Sequence, residues 1–357
     1  MPNAKRYRSS LTIAATLTAL AATPLLPTAT AKTGPPPPPR TTNTQSSPTQ
    51  HHAHVSTAYE LPGDRAYPEG IAADPRTGDV YVGSYATGAV YKATPGKRAA
   101  EVFLPAGTDG RKTANGLKVD RSGRLWVTDS TAGVAVYDLR SRALIARFDV
   151  PGTPGGEPRM VNDVTIAADG TAYLTDSFRA VIYRVTPAQL EKTARHEGRR
   201  GELTAHLDLS GALEPQPAGT FTLNGLVADP TDPTGRRLFT VDMTGGDLYR
   251  VDTASGEIRK VTLHGGDLTN GDGLELRGST LWAVHNTTNS ITRWRLTDGG
   301  AAARLERRVT DEALQIPTTL VRSHGRTLVV RSQFDKGGPM GPGTPTTPFT
   351  VAAVDGI

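Results

Sequence analysis

Four residues with side-chain oxygens occupy the same place in a short phrase that recurs along the chain. Glu69 stands in PEGIAAD, Asn162 in NDVTIAAD, Asn224 in NGLVAD and Asp272 in GDGLEL. Carboxylate and amide oxygens are hard donors of the kind that calcium prefers. The absence of Cys and the scarcity of His near these phrases argue against zinc or copper. If the fold brings the four residues together, they can hold one divalent cation, with water or substrate oxygens in the remaining positions.

Further copies of the phrase show that the chain is built from repeats. Two of them are NGLKVD, which begins at Asn115, and the degenerate PTTLVR, which begins at Pro317. In most copies an apolar run is followed by a second run rich in Val, Tyr, Trp and Thr, and most steps are about 47 residues. This period predicts an all-β fold, a six-bladed β-propeller with four strands per blade. The first strand of each blade lines the central channel, so the four oxygen-bearing residues should converge there.

The elements around the repeats predict how the ring closes. The sixth blade is one strand short, and residues 55–61 have the missing strand pattern. We predict that this N-terminal strand pairs with the last blade and closes the ring, which hides sheet edges that would otherwise be exposed. The longer third repeat contains a predicted short helix within 187–200, with Pro at its first position. The Gly- and Pro-rich loop 337–348 is interpreted as a flap over one face or as a plain mobile connector.

The N-terminal segment is not expected to belong to the propeller. Three basic residues precede the apolar run 11–26, and an A-x-A cleavage site ends at Ala31. We therefore predict a signal peptide at 1–31, a disordered Pro/Thr/His-rich spacer at 32–54 and the propeller at 55–357. The mature protein would be secreted and would carry no membrane span. An uncleaved anchor is the alternative.

Composition narrows the classes of partner. The chain has no Cys, which excludes a disulfide framework and thiol catalysis. Its formal charge of +5 is spread along the chain and no RNA- or DNA-binding motif is present, so we expect no nucleic-acid partner. We expect a small-molecule substrate in the channel and a monomeric protein.

In these phrases the chain resembles the senescence marker protein/gluconolactonase family, the regucalcin-like sugar lactonases. More distantly, it is similar to the paraoxonase and diisopropylfluorophosphatase propellers. The resemblance covers about residues 68–331. Its carriers, in the family's order, are Glu69-Gly70, Asn162-Asp163, Asn224-Gly225-Leu226 and Asp272-Gly273-Leu274.

The resemblance implies a role for each carrier. Glu69, Asn224 and Asp272 would be metal ligands, and Asn162 would bind the metal or a substrate oxygen. Asp272 would also act as general base, or as nucleophile in the phosphotriesterase relatives. The expected cofactor is one divalent metal, and Ca²⁺ is the first candidate. Mg²⁺, Mn²⁺ and Zn²⁺ are alternatives, because hard-oxygen sites of this type often accept several metals.

Three further residues are candidates for substrate binding. Asn115 heads the second blade with the same NGL phrase as Asn224, although structural repetition explains it equally well. Arg159 precedes Asn162 by three residues, near the place where relatives carry a substrate-binding Arg. His285 ends a second strand close to the predicted site and is interpreted as a proton shuttle or as a buried structural residue.

The residues and the resemblance together predict a secreted, metal-dependent hydrolase of a lactone or a related ester. The metal would polarise the carbonyl and Asp272 would deprotonate or orient the attacking water. Two alternatives stay open: a non-catalytic ligand-binding propeller with a structural metal, and a propeller lyase that uses the same channel. No G-x-S-x-G phrase is present, which disfavours serine hydrolase chemistry.

Overall fold

The computed structural model describes residues 53–152, 156–217 and 219–357. Six small sheets stand in a ring, each built around an antiparallel core, and together they form a six-bladed β-propeller. The predicted fold class is therefore confirmed. The predicted signal peptide, and all of the predicted spacer except its last two residues, lie outside the described residues.

The strands are numbered in chain order. The closing strand is β1 (His54–Glu60), and the first blade contains β2 (Pro68–Ala73), β3 (Val80–Ser84), β4 (Val90–Ala93) and β5 (Glu101–Leu104). The second blade contains β6 (Leu117–Val119), β7 (Arg124–Asp129), β8 (Gly133–Asp138) and β9 (Leu144–Asp149). The third repeat contains β10 (Val161–Ile166), β11 (Ala172–Asp176), β12 (Val181–Val185), helix α1 (Pro187–Arg195), β13 (Arg200–Glu202) and β14 (Thr204–Asp208).

The second half of the ring follows the same order. The fourth repeat contains β15 (Leu223–Ala228), β16 (Arg237–Asp242), β17 (Asp247–Asp252), β18 (Ile258–Lys260) and β19 (Thr262–His264). The fifth blade contains β20 (Gly271–Arg277), β21 (Thr280–His285), β22 (Ser290–Thr297) and β23 (Ala302–Thr310). The sixth contains β24 (Pro317–Ser323), β25 (Arg326–Arg331) and β26 (Thr350–Asp355). Short 3₁₀ turns lie at Thr108–Gly110, Asp298–Gly300 and Glu312–Leu314.

The ring closes through the N-terminal strand, as predicted. Strand β1 pairs antiparallel with β26, with His54 opposite Asp355 and Glu60 opposite Thr350. The chain continues into the core at Leu61, which is 1% exposed and whose N–H donates to the Phe349 carbonyl at 2.8 Å. Closure therefore covers an edge of the sixth sheet and packs the N-terminal strand into the core.

The hydrophobic core is divided into six clusters, one at each junction between neighbouring sheets. Val82 of the first blade and Val351 of the sixth share one cluster, for example, and Tyr81 of the first blade and Leu125 of the second share the next. Strand residues on both faces of a blade are therefore buried, because each face packs on a neighbour. The blades form one continuous packed ring around the channel.

Two short strands join a neighbouring sheet, which the sequence analysis did not predict. Strand β13, from the third repeat, pairs parallel with β9 and places Arg200 opposite Arg147. Strand β19, which follows the fourth blade, pairs parallel with β23 and places Thr262 opposite Ala302. These pairings fasten the outer edges of adjacent blades to each other.

The predicted helix forms within the predicted range: it begins at Pro187 and ends at Arg195. Its start is a capping box: the Gln189 N–H donates to Thr186 Oγ1 at 3.2 Å, and the Thr186 N–H donates to Gln189 Oε1 at 2.8 Å. The last residue of that range, Arg200, begins β13. Among the residues that the structure describes, no helix is long and apolar enough to cross a membrane.

Candidate metal centre and active site

Irregular pairing at the start of the inner strands places the predicted ligands at one level of the channel. In five blades the register between the first two strands shifts across the same few residues, between Pro68 and Ile71 in the first blade and between Val161 and Val164 in the third, for example. In the second blade the Asn115 N–H donates to Thr128 O at 3.1 Å in the corresponding place. The equivalent residues, called here the channel ring, are Glu69, Asn115, Asn162, Asn224, Asp272 and Thr318.

Glycine after the ring residue lets neighbouring blades approach closely. A Cβ at Gly70 would lie 1.9 Å from the Asn115 carbonyl oxygen, and a Cβ at Gly225 would lie 2.4 Å from that of Asp272. Thr128 of the second blade also donates its hydroxyl to Asn162 O of the third at 2.7 Å. The ring backbone is therefore packed blade against blade, which holds the side chains in a narrow circle.

Two of the ring amides are oriented by serines at the end of the second strand. Asn115 Nδ2 donates to Ser130 Oγ at 2.8 Å, and Asn162 Nδ2 donates to Ser177 Oγ at 3.0 Å. Both hydrogen bonds lie within one blade. Because each amide nitrogen is engaged in this way, the oxygen is the atom left for the channel.

The fourth and fifth blades have different partners at the same position. Asn224 Nδ2 contacts Met243 Sδ at 3.3 Å, and it also hydrogen-bonds the Asp272 carboxylate. Asp272 Oδ2 accepts from Asn286 Nδ2 at 2.9 Å. The carboxylate of Asp272 is therefore fixed from two sides by amide nitrogens.

Glu69 and Asp272 form a buried pair of carboxylates, 6% and 5% exposed. Burial, followed by the negative charges of Asp272 and Asp163, raises the pKa of Glu69 well above its usual range. Burial raises the pKa of Asp272 to about 7, although the hydrogen bond from Asn286 opposes the shift. The two residues hold the equivalent ring position in the first and fifth blades, and the convergence of the four predicted ligands on one cation stays a prediction.

Asp163, the residue after Asn162, adds a third carboxylate beside the ring. Its Oδ1 accepts from the Val164 N–H at 2.8 Å and its Oδ2 accepts from the Leu226 N–H at 3.0 Å. Burial raises its pKa to about 6, although these two backbone hydrogen bonds favour the charged form. Asp163 occupies the place that glycine has in four other blades, and it ties the third blade to the fourth.

The donor set of the ring fits a hard divalent cation. Glu69 Oε2 and Asn115 Oδ1 are buried and have no hydrogen-bond partner in the structure. A buried oxygen without a partner costs free energy, and a cation would satisfy both. Within the described ranges no group of three or more His, Asp or Glu side chains is arranged to hold a metal, so amide oxygens would have to complete the ligand set.

Apolar side chains flank the channel on the side of the strand ends. Tyr85 follows β3 and packs on Phe334 of the long loop in the sixth blade, with ring centroids 5.3 Å apart. Phe178 packs on Phe221 at 4.7 Å, and Phe221 is 41% exposed. Burial, followed by the charge of Glu69, raises the pKa of Tyr85. These four residues, called here the mouth aromatics, form two apolar walls.

The long loop of the sixth blade is held against the first blade. Tyr67 Oη donates to Lys336 O at 2.9 Å, and the Gln333 side chain bonds both the N–H and the C=O of Thr346, at 2.8 and 2.9 Å. The loop is therefore fastened to the segment that precedes β2, and its role as a flap stays a prediction.

The channel continues on the other side of the ring into a cavity of about 320 Å³. Residues that follow the ring line this cavity, including Lys118, Asp163, Glu275 and Arg277. Arg277 Nε bonds Glu275 Oε1 at 3.1 Å, so part of the charge there is already paired. The oxygens of the ring thus lie between an apolar mouth and a charged far cavity.

The remaining candidates, Arg159 and His285, lie outside the ring. Arg159 Nη1 lies 3.3 Å from Gly152 O and lines a surface cavity of about 680 Å³ together with Phe178. His285 is 1% exposed, and its two ring nitrogens contact Thr269 O and Thr292 Oγ1, both at 2.8 Å. This arrangement favours the structural interpretation of His285. The substrate contacts of both residues stay predictions.

Sequence reasoning missed the residues that orient the ring. Ser130, Ser177, Met243 and Asn286 each come directly after the last residue of a second strand. The signal was present in the aligned phrases TDS, TDS, VDM and VHN, whose last letters are these residues. The same alignment places His285 with Asp129, Asp176 and Asp242. Asp176 Oδ1, for instance, accepts from the N–H groups of Met160 and Phe178 and so fixes the connecting loops.

Comparison with known proteins supports the fold. No protein-family model and no curated protein sequence matches the chain. Among solved structures, a virginiamycin B lyase from Staphylococcus aureus is similar with a TM-score of 0.55 and 14% identity, over 86% of this chain and 100% of that chain. A gluconolactonase from Xanthomonas campestris is similar with a TM-score of 0.55 and 15% identity, over 85% and 89%.

A luciferin-regenerating enzyme is similar with a TM-score of 0.56 and 14% identity, over 85% of this chain and 96% of that chain. At such identities the likeness establishes the propeller fold, and function has to be argued from the site.

Proposed function

We propose that the protein is an exported, metal-dependent hydrolase of a lactone or a related carboxylic ester. The observation that supports this most directly is the buried carboxylate pair, Glu69 and Asp272, in a ring whose other side chains are neutral. Burial raises the pKa of both residues, and the charge of Asp272 adds to the shift of Glu69, so two ionised carboxylates here cost free energy unless a cation offsets their charge. A metal centre accounts for this cost, and packing of the blades does not.

The proposed metal ligands are Glu69, Asn162, Asn224 and Asp272, with Ca²⁺ as the first candidate and Mg²⁺, Mn²⁺ or Zn²⁺ as alternatives. All four present oxygen, the donor that calcium prefers. A divalent cation held there would polarise a substrate carbonyl and offset the negative charge that develops on its oxygen. Asn162 Nδ2 donates to Ser177 Oγ, so the amide oxygen of Asn162 is free to accept. This oxygen suits the metal or a substrate hydroxyl better than it suits the carbonyl oxygen of a substrate.

Asp272 is the proposed general base. The hydrogen bond from Asn286 holds its carboxylate in one orientation at the channel wall. A water molecule there would attack the carbonyl carbon while Asp272 takes its proton. The C–O bond of the ester then breaks, and the leaving oxygen receives the proton back. Burial of the site keeps bulk water from competing for the carboxylate.

The mouth aromatics favour a substrate with an apolar part. Phe178 packs on Phe221 where the third and fourth blades meet, and Tyr85 packs on Phe334 where the first and sixth blades meet. Such walls bury alkyl or aryl groups, whereas a polyhydroxylated sugar needs many hydrogen-bond donors. We therefore propose alkyl lactones or aryl esters before sugar lactones.

A substrate panel tests this function. Alkyl γ- and δ-lactones, glucono-δ-lactone and phenyl acetate are assayed with calcium and with EDTA, using the purified protein, Asp272→Asn and the matched control Asp267→Asn. Asp267 is exposed, and its Oδ1 accepts only a local bond from the Thr269 N–H. We expect calcium-dependent turnover that falls roughly 100-fold or more in Asp272→Asn and is unchanged in Asp267→Asn.

A lyase is the second candidate, because the likeness to virginiamycin B lyase shows that this fold occurs in a lyase. Mass spectrometry of the product separates the two candidates. Hydrolysis gives products whose combined mass exceeds that of the substrate by one water, whereas a lyase product carries no added water. Calcium-loaded protein that binds these ligands without turnover would instead support a binding propeller.

A further inference from the structure

Asn115 has an unexplained oxygen at the channel ring. The residue is fully buried, and its Nδ2 donates to Ser130 Oγ at 2.8 Å. Its Oδ1 is buried as well and has no hydrogen-bond partner. A buried amide oxygen of this kind is unfavourable unless the site supplies a partner that the protein itself does not.

The second unpartnered oxygen of the ring lies on the adjacent blade. Glu69 Oε2 is also buried without a partner. The two blades meet at the ring itself, because the backbone at Gly70 approaches the Asn115 carbonyl so closely that no Cβ would fit. Two unsatisfied oxygens, one anionic and one neutral, therefore occupy neighbouring ring positions. One cation would satisfy both.

We propose that Asn115 Oδ1 is a fifth protein ligand of the metal, rather than a contact to substrate. The inference rests on the proposed metal centre and assigns it one more residue. Thr318, at the sixth ring position, donates its hydroxyl to Glu69 O at 2.7 Å and is not part of the proposed ligand set. The ring then supplies five side-chain oxygens from the first five blades.

Five protein oxygens predict which metal the ring selects. Calcium accepts about six to eight oxygen ligands with flexible geometry, whereas magnesium demands near-ideal octahedral geometry and keeps several waters. With five positions taken by protein, few are left for the waters of magnesium, and calcium retains room for water and a substrate oxygen. Asn115 is therefore the ring residue expected to set selectivity for calcium over magnesium.

Calorimetric titration of the metal-stripped protein tests the assignment. Calcium and magnesium are each titrated into wild type, Asn115→Ala, Asn115→Asp and a control, Asn289→Gly. Asn289 is a buried Asn whose Oδ1 and Nδ2 are both engaged, with the Ile316 N–H and Glu312, and its positive φ suits glycine. We expect Asn115→Ala to weaken calcium binding about tenfold or more and to reduce the preference for calcium. Asn115→Asp should bind calcium at least as tightly as wild type, and the control should be unchanged.

The outcomes separate this inference from the proposed function. Calcium affinity in Asn115→Ala within about twofold of wild type, with a raised KM for substrate, would overturn the ligand role and restore the substrate contact. If Asn115→Ala does not fold, Asn115→Asp carries the test, since weaker calcium binding in that variant would also overturn the role. A wild-type protein that binds no divalent cation would overturn the proposed metal centre. Affinities that change as predicted without turnover of any ester would leave Asn115 as a ligand and overturn only the hydrolase.

Discussion

At the scale of single residues, one hydrogen bond decides what each ring side chain offers to the channel. Asn115 and Asn162 give their amide nitrogens to serines at the ends of neighbouring strands, so their oxygens remain for a ligand. Asp272 instead accepts a hydrogen bond, because its Oδ2 is bound by Asn286 Nδ2. The ring is consequently rich in oxygen acceptors, and burial raises the pKa of its two carboxylates, Glu69 and Asp272.

The raised pKa of Asp272 predicts how the metal-free protein responds to pH. The folded state holds the Asp272 proton up to about pH 7, whereas an ordinary Asp loses it near 3.8. Between these values the folded protein binds more protons than the unfolded chain, so the free energy of unfolding falls as the pH rises. In EDTA we expect a loss of up to roughly 1 kcal/mol per pH unit from about pH 5 to 7, measured by calorimetric or urea unfolding.

Two comparisons complete this pH experiment. Calcium should flatten the profile, because it stabilises the ionised carboxylates. Without metal, Asp272→Asn should reduce the decline but not abolish it, because burial also raises the pKa of Glu69 and Asp163. Asp267→Asn should leave the decline in place, since the backbone hydrogen bond from Thr269 lowers the pKa of Asp267 instead. Metal-free wild type that gains stability from pH 5 to 7 would contradict the description of the carboxylate pair.

The sequence predicted which residues stand at the ring, but not all of their partners. Glu69 and Asp272 could be found because the phrase around them recurs at a fixed period. The position of Met243 was visible in the aligned phrases, but its contact with Asn224 joins two strands and depends on the register between them. The direction of the His285 side chain could not be predicted either, since neighbouring positions on a strand point to opposite faces.

At the scale of elements, the irregular pairing at the start of the inner strands is the feature that builds the candidate site from the repeats. A regular strand would alternate its side chains between the two faces of the blade, toward neighbouring blades. The register shift redirects one residue per blade into the channel, and a following glycine lets the next blade approach. Asp163 shows the alternative, in which a side chain replaces glycine and bonds the adjacent blade directly.

Gly70→Ala tests the importance of this close approach. The new Cβ would lie 1.9 Å from the Asn115 carbonyl, so the first two blades would have to separate at the ring. We expect a loss of about 2 kcal/mol or more in the free energy of unfolding, together with weaker calcium binding. Urea unfolding and calorimetric titration measure the two effects.

The matched control for Gly70 is Gly211→Ala, because a Cβ at Gly211 meets nothing within 4 Å and its φ is not positive. Its stability should stay within about 0.5 kcal/mol of wild type. If both variants were equally stable, the packing of ring backbone between blades would not be what positions Asn115.

Strand positions were predictable, whereas irregular pairing was not. The alternation of apolar and polar residues predicts second strands at Arg124–Asp129, Ala172–Asp176 and Arg237–Asp242, and β7, β11 and β16 have these bounds. The same pattern starts the inner strand of the fourth blade at Gly225, but β15 begins at Leu223, because the polar and glycine residues of the irregular segment hide the strand pattern. Strands β13 and β19 were missed since their partners belong to other repeats.

At the scale of the whole molecule, closure by the N-terminal strand joins both ends of the chain. Strand β1 supplies the fourth strand of the last sheet, and Tyr59 and Leu61 enter the cluster shared by the first and last blades. This closure was predictable from a missing strand, because an open ring would leave an edge without a partner. Stability of the ring should therefore depend on this single junction.

Leu61→Ala measures the contribution of the junction. Leu61 is 1% exposed, so truncation leaves a cavity where the first and last blades meet. We expect the free energy of unfolding to fall by about 2–5 kcal/mol. Urea denaturation measures this loss. The exposed Val102→Ala serves as the control and should change stability little. A Leu61 variant as stable as that control would contradict closure through this strand.

The most direct test of the central claim is kcat/KM for the best lactone or ester, measured with calcium-loaded wild type, EDTA-treated wild type and calcium-loaded Asp272→Asn. The account predicts turnover only in calcium-loaded wild type, with a reduction of roughly 100-fold or more in the other two. Turnover that persists in EDTA or in Asp272→Asn would contradict it. So would a folded, calcium-loaded protein that hydrolyses no lactone or ester.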